Sequence, residues 1–306
     1  MPGKVAENGH KVKDSLMEWM LADGKRIPYF FDRTFNNLPL ARFKVFIEYE
    51  GTRYSGWQIQ TNARTVQGEI IRAVKRICKT DEVEFYGAGR TDAGVHAVGQ
   101  VAHLDVRTML APEIIRMKLN DELPPDINIL EVEKAPPAFH ARHDALARSY
   151  LYQVSSRRSA FGKHYVWWVK DRLDVPAMED AARLFVGMKD LRSFTDANPD
   201  EDSTKIAIEA IDVKREGDLI LFRVRGSHFV WKLVRRVVGV LVEVGRGKFT
   251  RQEVGQFIRE KSDAPARCTA PPSGLFLEKV WYDGDEKDPP LQPVFPVRAF
   301  HHHRRP

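Results

Sequence analysis

From residue 42 onward, apolar and polar positions alternate. Phe43, Val45, Ile47 and Tyr49 fall on one side of a two-residue repeat, with Lys44, Phe46 and Glu48 on the other, the period of a β-strand. The period then lengthens: Val66, Ile70, Val74 and Ile77 recur at helical spacing behind Thr65, a residue suited to cap a helix. Strands follow near residues 83–87 and 99–106, then a helix opening at Pro112 and a strand over 127–135. A second series begins at 148–156, where Tyr150, Tyr152 and Val154 share a face. Its helix over 174–187 has Asp174 as cap, Pro176 in the first turn, Gly187 at the exit, and a stripe of Met178, Ala181, Ala182 and Phe185. Strands over 208–216 and 218–226 share a tight turn. A long helix is predicted over 228–245, with Val230, Leu233, Val234, Val237 and Leu241 inward, then a short helix over 251–260 and a strand over 274–283. The order strand–helix–strand–helix–strand thus occurs twice. It predicts an α+β fold of two similar halves, 42–147 and 148–283, each an antiparallel-rich sheet with helices packed on one face and a cleft between them. Residues 1–41 read as a partly disordered N-terminal extension: a polar mobile start, a short amphipathic helix over 15–24, then loop. Residues 284–306, rich in Pro and Arg, read as a disordered tail.

Composition narrows the class. With 306 residues and 43% hydrophobic content, the chain can bury a sizeable core. Cys78 and Cys268 are its only cysteines, far apart and outside any CxxC pair, which speaks against a disulfide framework or a cysteine-ligated zinc. No apolar run is long enough to span a bilayer, and the N-terminus lacks a secretory layout. Glu7, Asp14, Glu18 and Asp23 speak against a transit peptide, so the expected compartment is the cytoplasm, with an organelle matrix left open. The net charge of +6 favours a polyanionic partner. Residues 214–251 hold ten Lys or Arg against three acids, and residues 138–170 hold six against Asp144 with aromatics interleaved. Basic residues track phosphates and aromatic faces stack on unpaired bases, so this concentration points to RNA or DNA. His301–His303 read as solvated tail, and the H-x-x-H of His140 and His143 as facing RNA or solvent rather than metal.

The segment GAGRTDAGVHAVGQ, residues 87–100, holds a lone carboxylate, Asp92, among small residues. A phosphate-cradling loop is a weak reading, because no GK[ST] follows. A metal site on Asp92 and His96 is also weak, with too few local ligands. Two readings stand level: an exposed turn in which Asp92 caps Gly94, and a catalytic carboxylate. Small neighbours admit a bulky substrate, and a guanidinium beside a carboxylate favours its anion, which can serve as nucleophile or base.

GRTDAGVHAVGQVAHLDV at 89–106 resembles the signature of the tRNA pseudouridine synthase A (TruA) family. So do YEGTRYSGWQIQ at 49–60, TVQGEI at 65–70, LNDELPPDINI at 119–129, FHARHDALARSYLYQV at 139–154, HFVWKLVRRVVGVLVEVGRGK at 228–248 and PPSGLFLEKVWY at 271–282. The blocks run in order over roughly residues 42 to 282. The resemblance implies isomerisation of uridine to pseudouridine in the anticodon stem-loop of tRNA, at positions 38 to 40, by a homodimer with no metal or cofactor. It implies that Asp92 is the catalytic aspartate and Arg235 its ion-pair partner. Tyr150 would stack on the target base, Arg90 would fill the space left by the everted nucleotide, and Leu275 would lie by the base pocket. Lys232-Leu233 stands where the family has His-Met, and Lys205 where it has Arg. Two rival functions are a non-catalytic RNA-binding or assembly factor on the same scaffold, and the same isomerisation on another RNA such as ribosomal RNA. Intact Asp92, Tyr150 and Arg235 argue against the first.

Overall fold

The computed structural model describes the backbone of residues 16–22 and 25–31, and all of 38–196, 203–285 and 288–297. The expectations for residues 1–15 and for His301–His303 lie outside these. Where a helix and then a loop are predicted, the chain forms two strands, β1 (Leu16–Ala22) and β2 (Lys25–Phe31), paired antiparallel from Leu16↔Phe31 to Ala22↔Lys25. The sequence carries the reason: Asp23-Gly24 is the dipeptide that two-residue hairpins favour, followed by a β-favouring stretch with Ile27, Tyr29, Phe30 and Phe31.

The first half comprises β3 (Leu40–Tyr49), α1 (Val66–Cys78), β4 (Val83–Gly87), β5 (His96–Arg107), α2 (Pro112–Glu122) and β6 (Ile127–Lys134). Phe43, Val45, Ile47 and Tyr49 are all buried, as the alternation of β3 requires. Thr65 caps α1 by accepting a hydrogen bond from the Gly68 amide at 3.3 Å. The second half comprises β7 (Ala147–Ser155), the two-residue β8 (Trp167–Trp168), α3 (Val175–Ala182), β9 (Gly187–Asp190), β10 (Lys205–Glu216), β11 (Leu219–Gly226), α4 (Leu233–Gly245), α5 (Arg251–Arg259), the one-turn α6 (Ala264–Arg267) and β12 (Leu275–Trp281).

The halves do not carry separate sheets. One ten-stranded sheet runs β6-β3-β5-β12-β7-β11-β10-β9, with β4 on β5 and β8 on β7. Its pairs are antiparallel except β7–β8 and the junction, where β12 runs parallel to β5 at Phe276↔His96 and Leu277↔Ala97. One apolar cluster extends through both halves, from Phe43 and Ile70 to Phe222 and Val240.

Three further differences separate the structure from the sequence pattern. The predicted helix over 228–245 begins only at Leu233, because Lys232 sits in the left-handed region at φ 62°, ψ 1°; residues 228–232 are left as a loop. All nine residues of β7 are buried, where the sequence suggests one buried face. Tyr150, Tyr152 and Val154 join the main core, while Leu151 joins a second cluster with Val166, Leu219 and Leu221. That second cluster is covered by Leu291 and Val297. The tail expected to be disordered is therefore packed over 288–297: Phe295 stacks on Tyr165 at 4.9 Å, and Gln153 accepts hydrogen bonds from the Val294 and Phe295 amides.

Candidate active site

A cleft of about 780 Å³ lies between the halves, and all five residues singled out in the sequence line it: Arg90, Asp92, Tyr150, Arg235 and Leu275. Asp92 projects from the loop between β4 and β5. That loop is pinned by backbone bonds from Trp57 N to Thr91 O (3.1 Å), Gly94 N to Tyr54 O (3.3 Å) and Val95 N to Asp92 O (3.1 Å), and by the Tyr49–Thr91 hydroxyl pair at 2.8 Å. Gly56 lets the 51–57 turn approach. At φ +89° it adopts a conformation disfavoured for other residues, and a Cβ there would lie 2.6 Å from Thr91 O.

Arg235, in the first turn of α4, reaches the Asp92 carboxylate: Nη1 donates to Oδ2 at 3.0 Å. Its Nε donates to Ala270 O at 2.7 Å, so the guanidinium is held from behind as it pairs in front. The first turn of α4 lines the cleft, so the positive end of the helix adds to this charge. Asp92 keeps 22% of its side chain open, and Oδ1 makes no hydrogen bond among the described residues.

This geometry separates the readings the segment left level. The Asp92 side chain does not cap Gly94, whose amide goes to Tyr54 O; it crosses to the other half. Nor does His96 join Asp92, since its Nδ1 accepts from Gly51 N (3.0 Å) and its Nε2 bonds His164 O (2.8 Å). Among the described residues no group of three His, Cys, Asp or Glu is placed to hold a metal.

Tyr150, on β7, packs edge-on against Phe229 with centroids 5.0 Å apart. Burial pushes its hydroxyl pKa up, outweighing Arg148, so it offers the cleft a neutral phenol. Leu275 opens β12 opposite Tyr152. Arg90 is exposed, and its guanidinium makes no hydrogen bond or ion pair among the described residues. Arg142 is likewise an unpaired exposed guanidinium on the cleft wall.

The sequence counts Arg148 only as charge, yet it ties the site together. Its buried guanidinium donates to the carbonyls of Ala88 (2.9 Å), Arg142 (2.6 Å), Ala145 (3.1 Å) and Ser227 (2.9 Å), joining the Asp92 loop to both other cleft walls. Four carbonyls satisfy the ion with no carboxylate partner. An arginine inside an apolar alternating strand was the available signal. The cleft's other acid, Asp196, is held by Lys232 at 2.9 Å and by Arg236, and Lys232 first among them lowers its pKa.

Sheet, junction and cleft describe an α+β enzyme whose site is built from both halves. The chain belongs to the tRNA pseudouridine synthase family, a family of isomerases, whose model matches residues 45–144 and 181–283. A protein of Geobacillus sp. (strain WCH70) named tRNA pseudouridine synthase A is 40% identical over 79% of this chain and 98% of its own. Proteins of the same name from Rhodopseudomonas palustris (strain BisA53) and Anoxybacillus flavithermus are 40% and 39% identical, each over 80% of this chain and 100% of their own. Among solved structures, a Cbf5-Nop10-Gar1 complex aligns at 14% identity and a TM-score of 0.28, over 65% of this chain and 54% of that chain. Among the described residues no helix is long and apolar enough to cross a membrane.

Proposed function

We propose that the protein isomerises uridine to pseudouridine in the anticodon stem-loop of tRNA, with Asp92 as the essential carboxylate, acting as a homodimer. The observation that carries this is the Asp92–Arg235 pair across the cleft, with one carboxylate oxygen left unengaged. Of the two acids lining the cleft, Asp196 is committed to two cations, and Asp92 alone retains a free oxygen.

The target base lies in a stem and must be everted first, at a cost of a few kcal/mol. The N1–C1′ bond then breaks with its electron pair going to the uracil, the uracil turns, a C5–C1′ bond forms, the C5 proton is removed and N1 takes up a proton, so that the product is an isomer of the substrate. Asp92 serves as nucleophile at C1′ or as the base in this sequence, and Arg235 aims it for either. Tyr150 gives the detached uracil an aromatic face and Leu275 an apolar wall. Arg90 and Arg142, both unpaired, suit phosphates or the gap left in the stem.

Asp92→Ala is expected to abolish pseudouridine formation on tRNA transcripts while leaving tRNA affinity within about tenfold, or ~1.4 kcal/mol. Pseudouridine mapping on treated transcripts, with binding measured in parallel, checks both. Product made by the variant would end the assignment. Modification confined to ribosomal RNA would move the substrate and leave the chemistry.

A further inference from the structure

The stretch over residues 228–232 is predicted to be helical and is a loop, and its shape presents an aromatic ring to the cleft. Trp231 lines the cleft and is 53% exposed, against 1% for Trp57 in the core. Most of the cost of an exposed indole is the apolar surface left in water, which a docked flat partner removes.

The loop is held at its backbone, and the ring by one cation. The Thr195 hydroxyl donates to Trp231 O at 2.9 Å. Lys232, in its left-handed conformation, sets its ammonium 4.2 Å from the centre of the indole and pairs with Asp196 at 2.9 Å. Asp196 is anchored in turn by Arg236 on α4. Two residues earlier, Phe229 packs on Tyr150, so one short loop carries both the support of the proposed base-stacking tyrosine and a second, open aromatic. The ammonium covers one face of the indole, more than half of the residue stays exposed, and π-faces accept any base.

We propose that Trp231 is a stacking platform for a nucleobase adjacent to the everted uridine, and so a positioning residue that holds the flanking strand while the target nucleotide is out of the stem. This rests on the function proposed above. A flipped nucleotide leaves its neighbour with an unstacked face, and Trp231 supplies the missing ring from the same wall that carries Arg235. The Lys232–Asp196–Arg236 chain keeps the ring in place in the free protein, so less ordering accompanies binding.

The test uses the full chain and an anticodon stem-loop RNA carrying 2-aminopurine next to the target uridine. Wild type is expected to quench the 2-aminopurine on binding and Trp231→Ala to lose the quench. Trp231→Ala should raise KM about tenfold, with the loss falling on KM rather than kcat, and Trp231→Phe should recover most of it. Asp92→Ala should retain the quench, since it removes chemistry and not stacking. Wild type that forms no pseudouridine on any RNA tested would refute the functional reading. An active wild type whose KM and quench are matched by Trp231→Ala would overturn the stacking platform alone.

Discussion

Asp92 and Arg235 stand 143 residues apart in the chain, so no local pattern joins them; only the ordered resemblance of the blocks around each brought them together before the structure did. Arg148 fell through for the opposite reason. Its role is to bind four carbonyls from three segments, and carbonyls have no signature in a sequence. His103 is a third such residue. On β5 it is buried, with Nδ1 accepting from Ala141 N at 3.1 Å, Tyr86 stacked at 5.3 Å and His140 edge-on at 4.6 Å. Burial pushes its pKa down to about 4, with Arg42 and His140 adding to the effect against Asp105 and Asp144. The folded state therefore holds the ring neutral, as the bond from Ala141 requires. The sign follows: below the ordinary histidine value of about 6.5 the unfolded chain takes up a proton that the folded chain refuses, so stability falls as pH drops from there towards 4. Between pH 7 and 5 the loss from this site is up to about 2 kcal/mol. Urea unfolding at the two pH values should show it in wild type and show less in His103→Gln. An equal pH dependence in both would assign the effect elsewhere.

At the scale of elements, most strands and helices were readable because their apolar repeats are imposed by one contiguous core. Apart from the β1–β2 pair, whose signal is local, the clearest exception is an element whose limit is set by non-local geometry. The 228–232 stretch carries helix-like spacing, yet the chain bends at Lys232 so that Phe229 can reach Tyr150, and the helix starts late. Within α4, Gly239 sits against the 268–270 segment: a Cβ there would lie 1.7 Å from Cys268 O. That segment also holds Arg235, through Ala270 O and through the amide of Ala270, which donates to Arg235 O at 3.0 Å. In an open helix, Gly→Ala stabilises by about 1 kcal/mol. Here the steric clash with the 268–270 backbone outweighs that gain, so Gly239→Ala is expected to destabilise by about 1–3 kcal/mol. It should also lower turnover per folded molecule, because the displaced segment no longer tethers Arg235. Denaturant midpoints alongside kcat measure the two effects. A stabilised, fully active variant would show that the contact relaxes without consequence.

Across the whole molecule, linear charge proved a poor guide to free charge. Nine of the ten basic residues in 214–251 are ion-paired, all but Arg215, largely with acids distant in sequence such as Asp92, Asp171, Asp180, Asp196 and Glu278. The basic run is thus mostly consumed in tying the second half together, and among the described cleft residues Arg90 and Arg142 remain open to a phosphate. Arg223 shows how far this goes. Buried, it pairs with Glu278 through Nε at 2.8 Å and Nη2 at 2.5 Å, and it also donates to Pro289 O (2.9 Å) and Pro290 O (3.1 Å) in the tail. A segment outside the family match thus completes a buried ion and, through Leu291 and Val297, covers the second apolar cluster. Prolines made it read as disordered, although a proline carbonyl accepts as well as any other. Deleting residues 288–306 leaves Arg223 short of two acceptors and bares Leu151, Leu219 and Leu221. The expected cost is about 3 kcal/mol from the charged hydrogen bonds alone, seen as a lower urea midpoint and new binding of an apolar dye. Because the described tail residues, 288–297, contact none of Asp92, Arg235 or Tyr150, turnover per folded molecule should hold at low temperature. A truncated chain with an unchanged midpoint would show that water replaces both carbonyls and that the cluster closes without its cover.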